Sequence, residues 1–157
     1  MPAEHWPDIA GRIEGGAHLL PVRVYYEDTD FSGLVYHASY LRFCERGRSD
    51  LLRLAGLSHR DLIGDGDGGI FFAVRRMEID FLAPARIDDL LEVRSAFSGL
   101  GGARLEIAQS VRRDSHDIMR AAMTVAILGA DGRPRRVPHA LKGRLAPLIC
   151  PAAGGAS

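Results

Sequence analysis

The chain has 157 residues, 46% apolar and 25% charged, with 20 Lys+Arg against 20 Asp+Glu. That length suits one globular domain, and a formal net charge of zero lacks the basic footprint of a nucleic-acid binder. No apolar run reaches the roughly 18 residues of a membrane span. The opening MPAEHWPDIAGRIEGG has no apolar core of a secretory leader. Two cysteines, Cys44 and Cys150, make no disulfide framework. These features point to a cytoplasmic protein with no integral membrane segment.

In chain order, residues 1–18 are polar and predict a flexible N-terminal arm. Residues 19–27 alternate, with Leu20, Val22, Val24 and Tyr26 on one face, the period of a half-buried strand. DTDFSG then breaks the pattern as a turn. Over 38–55, Tyr40, Cys44, Gly47, Leu51 and Leu54 recur at helical spacing, with Gly47 small enough to bring the helix close to a partner surface. Four alternating runs follow. Phe71, Ala73, Met77, Ile79 and Phe81 share a face in 70–82; Leu91, Val93 and Phe97 do so in 89–98. Leu105, Ile107 and Val111 share one in 103–113, and Met119, Ala121, Met123, Val125 and Ile127 in 117–128. Their short connections leave no room for helical crossovers and predict an antiparallel meander. Residues 138–146 fit a short helix, and 149–157 a flexible C-terminal tail. The predicted fold is α+β: a five-stranded antiparallel sheet wrapped around one long central helix, a single domain over 19–148.

Chemistry concentrates in YYEDTDFSGLVYHASYLRFCERGRSDLL, residues 25–52. Asp28 and Asp30 sit in a turn just before a helix whose first N–H groups and positive dipole end suit an anion or a developing oxyanion. A carboxylate beside an oxyanion site suits acyl transfer or hydrolysis. The same residues also suit a structural cap or Asx-turn.

The pattern YxDTDxxGxVYHxxYLxFxExxR resembles the YbgC-like branch of the hotdog-fold, 4-hydroxybenzoyl-CoA thioesterase-like acyl-CoA thioesterases. EIDFLAPARIDDLLEV, residues 78–93, and GRPRRVPHALKGRL, residues 132–145, resemble further segments of that family, so the similarity runs from about Leu20 to Leu148. The resemblance implies Asp30 as the catalytic carboxylate and the His37 backbone N–H as the group that polarises the thioester carbonyl. It places Gly33, Val35 and Tyr36 on the substrate, and leaves Asp28 to hold the turn. It implies no cofactor, an acyl-CoA or acyl carrier protein substrate, and homodimers or homotetramers with the site between subunits. One departure matters. Where the 4-hydroxybenzoyl-CoA enzyme carries a basic cluster after its third strand, this chain has Leu100, Gly101, Gly102 and Ala103, with Arg104 alone basic. The aromatic specificity and its CoA clamp therefore do not carry over. The rival functions are a hotdog-fold dehydratase, against which the DTDxxG pattern speaks, and a non-catalytic acyl-CoA-binding protein.

Other signals are bland. GDGDGG over 64–69 fails as a calcium loop, because the sixth position from Asp65 is Ile70 and the twelfth is Arg76. The six histidines show no metal-ligand spacing, and no metal is expected. Cys44 falls on the apolar helix stripe and is expected in the core. Arg75, Arg76, Arg133, Arg135 and Arg136 are candidates for CoA phosphates.

Overall fold

The structure, a computed structural model, describes residues 11–57 and 69–149. Residues 1–10 of the arm, 64–68 of the GDGDGG run, Cys150 and the remaining tail to 157 lie outside the described residues.

The described strands are β1 (Arg12–Glu14), β2 (Ala17–Arg23), β3 (Ile70–Phe81), β4 (Leu90–Gly101), β5 (Arg104–Arg113) and β6 (His116–Gly129). The helices are α1 (His37–Leu54) and the short α2 (His139–Leu145). The strands form one antiparallel sheet in the order β1-β2-β4-β5-β6-β3. α1 packs across β2, β4 and β5, giving the hotdog arrangement.

The sheet has six strands where the periodicity predicts five. The addition is β1, which reverses through Gly15 and Gly16 to set Arg12 opposite Leu19 and Glu14 opposite Ala17. Three residues, RIE, are too few to display a period.

Two further corrections have local causes. The run over 19–27 stops being a strand at Arg23; Val24 is buried, but Tyr25 and Tyr26 are exposed. The Asp28 carboxylate takes the Tyr25 N–H at 2.8 Å, and Tyr26–Asp28 wind into a 3-10 turn. In β3 the apolar face changes partway. Val74 pairs with Val125 and Arg76 with Thr124, leaving Arg75 as a bulged extra residue. Phe72 therefore faces the core along with Met77 and Ile79, whereas Phe71 is exposed.

α1 buries Tyr40, Phe43, Cys44, Gly47 and Leu51, the expected stripe save that Leu54 is exposed. Burial pushes the Cys44 thiol up to about 11, as befits a core residue. Gly47 sets the helix–sheet distance: a methyl there would lie 2.9 Å from Val93 Cγ1 and 3.1 Å from Ser95 Oγ. Gly47→Val should therefore destabilise the protein by about 2 kcal/mol or more through overpacking. Urea unfolding checks this, and an unchanged midpoint would mean that the helix can move away freely.

Candidate active site

The loop between β2 and α1 is closed by Asp28. This residue is buried, and besides holding Tyr25 its carbonyl accepts the Tyr36 N–H at 2.9 Å. Inside that clasp Thr29 bridges Val35, the Asp30 N–H bonds the Leu34 carbonyl at 2.9 Å, and the Gly33 N–H bonds the Asp30 carbonyl at 3.0 Å. Asp at the first and Gly at the fourth position of such a turn are favoured types. Gly33 has φ +80°, and a Cβ there would meet nothing within 4 Å, so backbone conformation rather than space calls for glycine.

Asp30 stands exposed at the tip of the loop. Its Oδ1 accepts the Ser32 N–H at 2.8 Å and the Ser32 hydroxyl. These bonds, the hydroxyl first, hold the carboxyl below its usual value, so Asp30 is ionised at neutral pH. Sequence reasoning misses Ser32. Its signal is the D-x-S spacing, which lets an Asp side chain reach the N–H two residues on.

α1 begins at His37, as expected from the pattern, with Tyr36 as an extended N-cap residue that makes no side-chain cap bond. The Ser39 N–H returns to the Tyr36 carbonyl at 2.8 Å. The His37 N–H lies ahead of the helix's own acceptors and is left for another partner, at the positive end of an 18-residue helix.

Beside this helix start is an open cleft of about 290 Å³. Leu34, Val35, His37 and Tyr40 form one wall, and the segment Phe81–Pro84 the other. Two of the stretches singled out in the sequence, 25–52 and 78–93, thus meet here. The Phe81 ring contacts both His37 and Tyr40, with centroids 6.5 and 5.6 Å apart. Arg113, which sequence reasoning also misses, fixes the second wall: its Nη1 donates to the Pro84 carbonyl and to Asp89, each at 2.9 Å.

The candidate residues are not all on this cleft. His37 and Val35 line it, although Val35 is buried and its N–H bonds the Ala85 carbonyl at 2.8 Å. Tyr36 is exposed and stacks on the His37 ring at 4.4 Å. Asp30, Gly33 and Tyr36 do not form its walls. Of the arginine candidates, Arg76 pairs with Glu78 and Arg135 donates to the Gly69 carbonyl at 3.1 Å. Among the described residues no cluster of His, Cys, Asp or Glu could hold a metal ion, and no helix is long and apolar enough to cross a membrane.

Comparison with known proteins bears directly on this arrangement. The profile of the Thioesterase superfamily matches residues 32–119, beginning just past Asp30. The acyl-CoA thioester hydrolase YbgC of Escherichia coli O6:H1 is 37% identical over 123 residues, 77% of this chain and 90% of that protein. A crystal structure of a probable thioesterase from Bartonella henselae is 44% identical with a TM-score of 0.73, covering 78% of this chain and 99% of that one. A thioesterase from Thermus thermophilus, solved with coenzyme A and Zn, is 28% identical with a TM-score of 0.69, covering 83% of this chain and 92% of that one. Shared sequence over most of both chains, on a shared helix-in-sheet architecture, places this chain in the thioesterase superfamily as a thioester hydrolase of the hotdog fold.

Proposed function

We propose that this enzyme hydrolyses acyl-CoA thioesters to the free acid and CoA, with Asp30 supplying or activating the attacking oxygen and the His37 N–H polarising the carbonyl. The observation that carries the proposal is an uncapped helix start, opening on an apolar-walled cleft, one short loop away from an ionised aspartate. The names of the relatives support acyl-CoA as the substrate class, and the Thermus thermophilus structure supports coenzyme A as the carrier.

Thioester chemistry asks little more of a protein. A thiol ionises near ~8.5, so the CoA thiolate leaves with little acid help. The developing oxyanion takes the His37 N–H, a kind of donor whose loss costs about 100- to 1000-fold in rate. As nucleophile, Asp30 adds to the carbonyl carbon, the C–S bond breaks, and water cleaves the resulting mixed anhydride. As general base, it takes the proton of the water that attacks. Gly33 shapes the turn that presents Asp30, and Val35 and Tyr36 border the acyl group.

The cleft is open on the side where Phe81 ends β3, and β3 is a twelve-residue sheet edge with Phe71, Val74 and Phe81 exposed. Such an edge calls for a partner. Two-fold pairing of β3 edges would give a homodimer, or a homotetramer of two such pairs, with each site at a subunit boundary. Light scattering should give a mass of two or four times 17.1 kDa; a monomer at micromolar concentration would refute the assembly.

Because Ser32 holds the Asp30 carboxyl below its usual value, activity should persist as pH falls through the ordinary aspartate range near ~4 and fail only below it. Ser32→Ala removes the hydroxyl bond, so the acid limb of kcat/KM should move to higher pH. An acid limb that stays in place would detach that limb from Asp30. The function itself is tested by thiol release from a panel of acyl-CoAs and the matching acyl carrier protein thioesters. Saturable release from at least one acyl-CoA is expected, and none from any would sink the proposal.

A further inference from the structure

A second cavity, of about 320 Å³, lies between α1 and the sheet and shares no lining residue with the cleft at His37. Its interior is aliphatic and aromatic: Leu51, Phe97, Leu105, Ile107 and Val125 line it, each almost fully buried. One cation enters it. Arg48 is half-buried, and no carboxylate lies within 4 Å of its guanidinium among the described residues. Glu45, one turn earlier, lines the rim without pairing to it.

Arg48 is nevertheless fixed in place. Its Nη1 donates to Gln109 Oε1 at 2.8 Å and approaches Met123 Sδ at 3.6 Å. Gln109 is itself buried, and its amide nitrogen donates to the Cys44 carbonyl at 2.9 Å and to Ser95 Oγ at 2.8 Å. A polar chain through the core thus holds a guanidinium at an apolar cavity, with most of its fork of five donors unused among the described residues. An unpaired charge at an apolar site is costly to leave without a counter-ion. A carboxylate matches the guanidinium fork in charge and shape.

We propose that this cavity binds a medium-chain fatty acid, its carboxylate on Arg48 and its chain among Leu51, Phe97, Leu105 and Ile107. The site stands on its own geometry and does not depend on turnover. A fatty acid is also what hydrolysis of an aliphatic acyl thioester releases, so the same cavity would let product act back on the enzyme.

Met123 is a built-in reporter. The full-length protein carrying 13C-methyl methionine is titrated with octanoate, octanol and octylammonium. Octanoate should shift the Met123 resonance saturably, one per chain, while octylammonium should not. Arg48→Gln should weaken octanoate at least ~10-fold and leave octanol unchanged. The wild-type comparison of the two charged ligands decides the matter even if that variant folds poorly. An unmoved Met123, equal shifts by octylammonium, or octanoate binding that is indifferent to Arg48→Gln would overturn the proposal. So would a shift confined to Met119, which is buried in the half of the core that holds Tyr40. Because no thioester is used, an inactive protein that binds octanoate, and an active one that does not, are separate results.

Discussion

Asp30→Asn should lower acyl-CoA turnover by about 100-fold or more, the loss expected for a positioned acid–base or nucleophilic group, while leaving fold and substrate binding intact. The side chain is exposed and contributes no core packing, and Asn can still accept the Ser32 N–H and hydroxyl. The informative control is Asp28→Asn. Asp28 is buried in the clasp, where its oxygen takes the Tyr25 N–H, and an Asn side chain can make the same bond. Much of the activity should therefore remain. Steady-state thiol release on both variants, with circular dichroism to confirm folding, checks the pair. A dead Asp28→Asn beside a working Asp30→Asn would assign the chemistry to the other aspartate.

The second large effect concerns stability. Asp50, on the far half of α1, is buried; its Oδ2 accepts from His18 Nε2 at 2.6 Å and from the Gly11 N–H at 2.7 Å. His18 is fully buried, and its Nδ1 has no partner among the described residues. Asp50→Ala would leave the whole imidazole and the Gly11 N–H unpaired in the interior. Each unsatisfied group costs about 1–3 kcal/mol, so the expected loss is about 3 kcal/mol or more. Asp50→Asn, which keeps an acceptor, should lose less. Guanidinium unfolding measures both, and a loss below about 1 kcal/mol for the alanine variant would show that water or the neighbouring chain replaces the carboxylate.

That pair also shows where the sequence stops being legible. His18 falls in a stretch whose Gly and polar content predicts a loose arm, and nothing local signals that it faces Asp50, 32 residues on. Gln109 is likewise one polar residue within an alternating run, on the buried face with Ile107 and Val111. Its role needs Cys44, Ser95 and Arg48, which only the fold assembles. Local periodicity, by contrast, locates α1 and five strands, because one face of each must be buried. It errs where a side chain competes for the backbone, at Asp28, and where a bulge shifts the period, at Arg75. The site is legible in part. The turn and the helix start at His37 are local features, but the wall Phe81–Pro84 arrives from another strand, and Arg113, which pins it, from a third.

The most direct test of the account is a crystal structure of Asp30→Asn with an uncleaved acyl-CoA. The thioester oxygen should lie about 2.7–3.1 Å from the His37 nitrogen, with residue 30 facing the carbonyl carbon and the acyl group against Phe81 at a subunit boundary. A thioester bound with its carbonyl away from His37, and with residue 30 still turned to solvent, would contradict it.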